Sequence, residues 1–316
     1  MISKTGKNAN DIYNSEYPEL EWIVEGLLPV GMSILGGRPK AGKSWITMQI
    51  AQAMGDKIDF LGKEVIRGKV LYLALEDSHR RLKRRMEIQQ WSEKSRRNVN
   101  FVTLDDFRKD IGFLHINDNA KKLYSFVEHG KYKLVVADSF NIAFMGLSNI
   151  DNNPLVTNAL KPLHNYSLSN NILTHLIDHH NKLSAGKDAS QSPIDNILGS
   201  TAKSSITDTA LGIYKTGKGK LRFMATGRDF EDVDMKIIAN EHMHYQYDGL
   251  GELTDKEQDV FELLIAAQSE VKLSRIAEFL GIPESRASER LSKLRQLGYA
   301  DKTENGFIFT KNGKIH

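Results

Sequence analysis

Gly37-Arg38-Pro39-Lys40-Ala41-Gly42-Lys43-Ser44 is the stretch on which the fold turns. It fits G-x-x-x-x-G-K-[ST], and its surroundings are those the pattern needs: an apolar strand, Ser33 to Leu35, leads in, and a helix opens at Ser44. Glycines let the backbone wrap closely around a phosphate with its N–H groups turned inward. The helix N-terminus behind the loop adds partial positive charge. Lys43 is expected on the β- and γ-phosphates of a nucleotide, and the Ser44 hydroxyl on Mg²⁺. Residues Gly37, Arg38, Pro39, Lys40, Ala41, Gly42, Lys43, Ser44 and Trp45 are therefore the expected nucleotide contacts. A glycine-rich turn matching by chance would not need a strand before it and a helix after it.

Working outward, short apolar runs alternate with longer amphipathic stretches. Met32–Leu35, Val70–Leu75, Phe101–Leu104, Leu134–Ala137 and Ile172–Ile177 read as strands buried on both faces. Ser44–Met54, Ser78–Trp91, Asn119–His129 and Pro154–Ser167 read as helices. Strand and helix in repetition predict an α/β fold, a mostly parallel sheet covered by helices. Thr209–Tyr214, Leu221–Ala225 and Met235–Ala239 predict further strands, the later ones an antiparallel extension. Met1 to Glu16 is polar and aperiodic, and the arm is taken to residue 20. Asp248-Gly249-Leu250-Gly251 marks a second boundary, which gives three parts: 1–20, 21–249 and 250–316. Leu183 to Ile197, polar and rich in Ser, is a loop long enough to expect a function.

Two acidic positions bear on the chemistry. Asp138 ends the run Leu134-Val135-Val136-Ala137, where a carboxylate facing the phosphate loop supports a metal. A strand-end cap is the plainer alternative. Glu76 ends the run Val70 to Leu75, beside the same crevice, and can act as general base on a water. Asp77 is its neighbour, and spacing alone does not separate the two.

With these residues in place, the chain resembles the RecA-like ATPases over roughly Tyr17 to Tyr247. It looks most similar to the branch of RepA-type plasmid helicases and DnaB-type hexameric helicases. Trp22 to Gly31 resembles the branch's lead-in segment, Leu73-Ala74-Leu75-Glu76-Asp77 the strand ending in the catalytic base, and Val135-Val136-Ala137-Asp138-Ser139 the Walker B strand. The resemblance thus implies Glu76 as base. Ile177-Asp178-His179-His180-Asn181-Lys182 resembles the segment with the γ-phosphate sensor, and implies His179. A surface turn is the alternative, and a shared metal is disfavoured because adjacent residues on an extended end point opposite ways. Gly199-Ser200-Thr201 and Thr207-Asp208-Thr209 resemble the next family segment. Met224 to Phe230 resembles the turn carrying an arginine that acts on a neighbour's nucleotide, which implies Arg228. The plainer alternative is an exposed turn residue paired with Asp229 or Glu231. DnaB-type proteins tend to have a basic residue two positions earlier; here it is Thr226, with Lys218 or Lys220 as candidate substitutes. A trans-acting arginine requires a homo-oligomer, and the family implies a hexameric ring.

Composition sets the outer limits. The chain has 316 residues, 40% of them hydrophobic and 26% charged, ordinary for a globular protein. It has no cysteine, which excludes disulfides, Cys-ligated zinc, iron–sulfur clusters and thiol nucleophiles. No run approaches the roughly 20 apolar residues of a membrane span. With no cysteine, no span and no signal peptide, a cytoplasmic location is expected. A net charge of +3 does not by itself imply a nucleic-acid partner. Locally, though, Arg80 to Arg97 holds eight basic residues against Glu87 and Glu93, a phosphate-contacting surface or a solvated helix face. Loops Gly146–Pro154 and Leu183–Ile197 are the other candidates for DNA contact. Near the C-terminus, Thr254-Asp255-Lys256-Glu257 forms a capping box, and Leu273, Ile276, Ala277 and Leu280 lie on one helical face. A third helix follows from Glu284, with Ala287, Leu291 and Leu294 inward, then a hairpin over Tyr299–Thr310. Three helices and a hairpin resemble a winged helix-turn-helix, which binds DNA or protein. The resemblance as a whole implies an oligomeric Mg-ATP-hydrolysing motor on DNA, a replicative helicase of a phage, plasmid or other mobile element. A nucleotide-gated DNA-binding regulator and a recombinase-like filament protein without unwinding activity are the alternatives.

Overall fold

The computed structural model describes residues 6–147, 153–179, 202–217, 219–248, 255–267, 269–296 and 299–309. The chain divides into two compact units. The first comprises residues 1–214, 223–234 and 240–244, the second 215–222, 235–239 and 245–316. Among the described residues no helix is long and apolar enough to cross a membrane.

The elements in chain order begin with α1 (Ala9–Tyr13), the small pair β1 (Trp22–Val24) and β2 (Leu28–Pro29), β3 (Gly31–Gly37) and α2 (Lys43–Asp56). Then come β4 (Lys69–Ala74), α3 (His79–Ile88), α4 (Glu93–Asn98), β5 (Val99–Thr103), α5 (Leu104–Asp110), α6 (Asn117–Gly130) and β6 (Tyr132–Asp138). After these lie α7 (Phe140–Ala143), α8 (Asn153–Ser169), β7 (Leu173–His179), α9 (Ala202–Ile206), β8 (Thr209–Lys215), β9 (Lys220–Gly227), β10 (Val233–Ala239) and β11 (Tyr245–Tyr247). The nine-stranded sheet runs β11-β10-β9-β8-β3-β7-β6-β4-β5. From β8 to β5 the pairs are parallel, and β10–β11 is antiparallel. The mostly parallel sheet expected from the sequence is therefore the observed one.

All seven residues of β3 are buried, as expected of a central strand covered on both faces. One side of the sheet packs Met32, Ile34, Leu71, Leu73 and Val135 against Leu123 and Val127 of α6 and Val156, Leu160 and Leu163 of α8. Register is what positions the site. Gly37 pairs with His179, Asp138 with Ile177, and Ala74 with Asp138. The C-terminal ends of β3, β7, β6 and β4 are thereby level, and in open α/β sheets ligands bind at that edge.

Some expected elements differ. The helix expected over Ser78–Trp91 stops at Ile88, because Gln90 takes a left-handed φ of 50° and Ser92 caps a new helix, α4. The strand expected to reach Leu104 ends at Thr103, and Leu104 instead opens α5 with Asp105 and Asp106 in its first turn. The N-terminal arm, expected without structure, holds the short helix α1, capped by the Asn8 side chain and burying nothing.

The second unit carries α10 (Asp255–Ala267), α11 (Leu273–Leu280), α12 (Glu284–Gln296) and the antiparallel pair β12 (Ala300–Lys302) and β13 (Phe307–Phe309). Val260, Leu264, Ile276, Ala287, Leu291 and Leu294 form its core. The inward positions expected on the third helix are the buried ones. The 183–197 loop, residues 148–152 of the other loop, Gly199-Ser200-Thr201, Lys218 and Thr254 lie outside the described residues.

Candidate nucleotide site

The phosphate loop is shaped by two positions where only glycine sits easily. Gly42 has φ 109°, a left-handed backbone just before Lys43 opens α2. A Cβ on Gly37 would lie 2.8 Å from Ile213 Cγ1 and 3.1 Å from Lys43 Cγ. Lys43 is buried, and its Nζ donates to the carbonyls of Gly37 at 2.8 Å and Arg38 at 3.2 Å. Burial lowers its pKa, while the charges of Asp138, Glu76 and Asp178 oppose that shift. Arg38, Pro39 and Lys40 are exposed on the loop, and Ala41 is buried beneath it. Trp45 lies half-buried on α2; the Arg85 guanidinium stacks 5.5 Å from its ring, and its carbonyl accepts from Gln89.

Asp138 ends β6, 5% exposed, and accepts hydrogen bonds from the Ser44 side chain and, at 3.0 Å, from Tyr72 Oη. Burial pushes its pKa up to about 6, and the two hydrogen bonds pull the other way. The Ser44 hydroxyl and the Asp138 carboxylate are hard oxygen donors held together, and they suit Mg²⁺.

Beyond β4, the two candidate bases part company. Asp77 is captured by Arg81 at 2.9 Å and by Arg85, with its side chain 5% exposed. Glu76 is exposed and accepts a hydrogen bond from Ser139 Oγ, across from the phosphate loop. A carboxylate pinned between two guanidiniums is a poor proton acceptor, so the geometry favours Glu76.

His179, at the end of β7, places Nδ1 3.4 Å from Lys43 Nζ. Burial and then the Lys43 charge lower its pKa, so the ring is neutral at pH 7. An ammonium only donates, so Nδ1 is the acceptor and Nε2 carries the proton. That leaves an N–H to aim at a phosphoryl oxygen.

Arg228 is not part of this cluster. Its guanidinium pairs with Asp208 at 3.4 Å and donates to the Ser205 carbonyl, and its side chain is 58% exposed. Its partner is thus neither Asp229 nor Glu231. Asp208 also accepts from the Met32 N–H at 2.9 Å, at the opposite end of β3 from Gly37. Five residues of strand put the two ends roughly 17 Å apart. Arg228 is therefore out of reach of its own chain's phosphate loop. Lys220 is tied to Asp248 at 3.2 Å.

Several residues of this region carry no sequence signal of their own. Tyr72, Ser139 and the Asp178–Lys203 pair are among them. So is His175, fully buried between Ser33 and Thr47 with its pKa pushed down to about 4 by burial. The alternation of β4 gives the one clue for Tyr72, which shares a face with Ala74.

A family model described as "AAA domain" matches residues 4–185, more than half of the chain. No curated protein matches the sequence. Among solved structures, the chain is similar to one titled as the ATPase domain of a larger protein, with 12% identity and a TM-score of 0.52, covering 69% of this chain and 84% of that one. A KaiC-like protein from Pyrococcus horikoshii OT3 matches at 16% identity and a TM-score of 0.47, covering 71% and 93%. At these identities the first likeness shows the fold, a RecA-like α/β sheet.

Proposed function

The chain belongs to the AAA-domain family, and from that membership and the strand-end geometry we propose that it hydrolyses Mg-ATP as an oligomeric motor acting on DNA. The observation that carries this is the gathering of Lys43, Ser44, Glu76, Asp138 and His179 at one edge of four parallel strands. In the proposed mechanism the loop N–H groups and Lys43 hold the β- and γ-phosphates. Ser44 and Asp138 would hold Mg²⁺, which when bound neutralises phosphate charge. Glu76, oriented by Ser139, takes the proton of a water as its oxygen attacks the γ-phosphorus and the β–γ bridging P–O bond breaks, its electron pair leaving with ADP. The Nε2–H of His179 reads the γ-phosphate. Arg228 completes a neighbour's site, which calls for head-to-tail assembly and, by family likeness, a hexamer.

DNA enters the reading through charge. A groove of about 590 Å³ is lined by Ser78, Arg80, Arg81, Lys83, Arg84 and Glu87. Arg81 and Lys83 are paired with Asp77 and Glu87, whereas Arg80 and Arg84 make no ion pair among the described residues. Two free guanidiniums one helical turn apart suit a phosphodiester backbone. Residues 250–316 serve in this reading as a winged helix-turn-helix, and the whole as a replicative helicase of a mobile element.

Lys43→Ala is expected to abolish phosphate release from ATP, and full retained turnover would overturn the assignment. The three-helix and hairpin module favours a second reading, a nucleotide-gated DNA-binding regulator. ATP-dependent strand displacement on a forked duplex supports the motor; sequence-specific duplex binding without displacement supports the regulator.

A further inference from the structure

Asp178 and Lys203 form an ion pair at 2.7 Å with both side chains 0% exposed. Burying two charges is costly, and an apolar pair would hold the same elements together at least as well. What an apolar pair would not do is accept a hydrogen bond. Asp178 Oδ1 accepts from the backbone N–H of His179 at 2.8 Å, while Oδ2 takes the Lys203 ammonium. That ammonium also sits 4.3 Å from the centre of the Phe140 ring. Phe140 follows Ser139, the donor to Glu76. One buried cation thus joins the end of β7, where His179 stands, to the segment after β6 that orients Glu76. Asp178 and Lys203 also act on His179 with opposite sign, so the pair leaves the field at the imidazole nearly balanced.

We propose that the Asp178–Lys203 pair is a positioning unit: through the His179 N–H and the Phe140 ring it holds the imidazole and Glu76 in step around the γ-phosphate. This rests on the ATPase reading above. His179 touches the phosphate; Asp178 and Lys203 act through it.

The test separates positioning from plain stability. Lys203→Met alone leaves a buried carboxylate unpaired and lowers Tm. The Asp178→Leu/Lys203→Met variant removes both charges and the acceptor. It is expected to regain the wild-type Tm and a KM for ATP within about twofold, with kcat down about tenfold or more. Asp178→Asn/Lys203→Met keeps an acceptor for the His179 N–H and is expected to recover most of kcat. Wild-type kcat in the Leu/Met variant, or no recovery in the Asn/Met variant, overturns the proposal. A readout without turnover keeps it distinct from the ATPase reading. ¹⁵N spectra of histidine-labelled protein, with the His179 signal assigned by His179→Gln, are expected to show the Nε2–H tautomer in wild type. That tautomer should be lost in the Leu/Met variant. An unchanged His179 signal there overturns the proposal whether or not the wild type hydrolyses ATP.

Discussion

Tyr72→Phe isolates one hydrogen bond at the centre of the site. The ring is 1% exposed and packs 5.2 Å from the Phe101 ring, so phenylalanine keeps the packing and loses only the hydroxyl. That hydroxyl donates to the Asp138 carboxylate at 3.0 Å. Burial already lifts Asp138 from an ordinary 3.8 to about 6. The folded chain therefore holds a proton that the unfolded chain has released across that window, and stability falls as pH rises through it. A hydrogen bond to a charged group contributes about 1.5–3 kcal/mol, and one pH unit corresponds to about 1.4 kcal/mol. Losing the hydroxyl should thus raise the Asp138 pKa by about one to two units. Urea unfolding of nucleotide-free protein in EDTA reads the effect. The variant should lose about 1.5–3 kcal/mol at pH 8.5, where wild-type Asp138 is ionised, and clearly less at pH 5, where it is protonated. An equal loss at both pH values would refute the coupling between Tyr72 and the carboxylate charge.

Gly37→Ala forces a methyl against Ile213 and the Lys43 stem, and overpacking of that kind costs about 1–3 kcal/mol, or roughly ten- to hundredfold in nucleotide Kd. Titration with a fluorescent ATP analogue measures it, and an unchanged Kd would refute the close packing of the loop. Asp208→Asn weakens the hydrogen bonds from Met32 and His164. Burial opposes ionisation of Asp208, yet those bonds outweigh it and hold the pKa below 3.8, so this stability is present above pH 4 and is lost as pH falls through the depressed pKa. Urea unfolding should show a cost of about 1–3 kcal/mol at pH 7 that disappears in acid, and a pH-independent cost would contradict it. Arg80→Ala/Arg84→Ala should reduce the slope of log affinity against log salt for DNA by roughly two, with ATP turnover without DNA unchanged. An unaltered slope would remove the groove from the DNA path.

The nucleotide loop and the strand ends were legible because both are local. A glycine pattern between a strand and a helix, and apolar runs ending at Asp138 and His179, need no knowledge of strand order. Parallel register then brings those ends level. The choice of Glu76 over Asp77 needed geometry, since it depends on Arg81 and Arg85 closing on Asp77 from α3. Asp208 reaches Met32 across 176 residues and His175 reaches Ser33 across 142. Pairings of such separation leave no periodic trace in a single sequence. The break after Ile88 was hidden for a different reason: the amphipathic pattern continues through Gln90, and only its left-handed backbone ends the helix.

Each site, in the motor reading, is completed by a neighbour. Arg228 lies at the far end of the sheet from its own phosphate loop, and its exposed side chain leaves Asp208 at little cost. Glu76→Gln and Arg228→Ala subunits should each be inactive alone while still assembling. Mixed in equal amounts, half the subunits keep Glu76, and half of those face a neighbour with Arg228. Turnover should therefore return to about a quarter of the wild-type rate per subunit. A mixture that co-assembles and stays inactive would contradict the shared site.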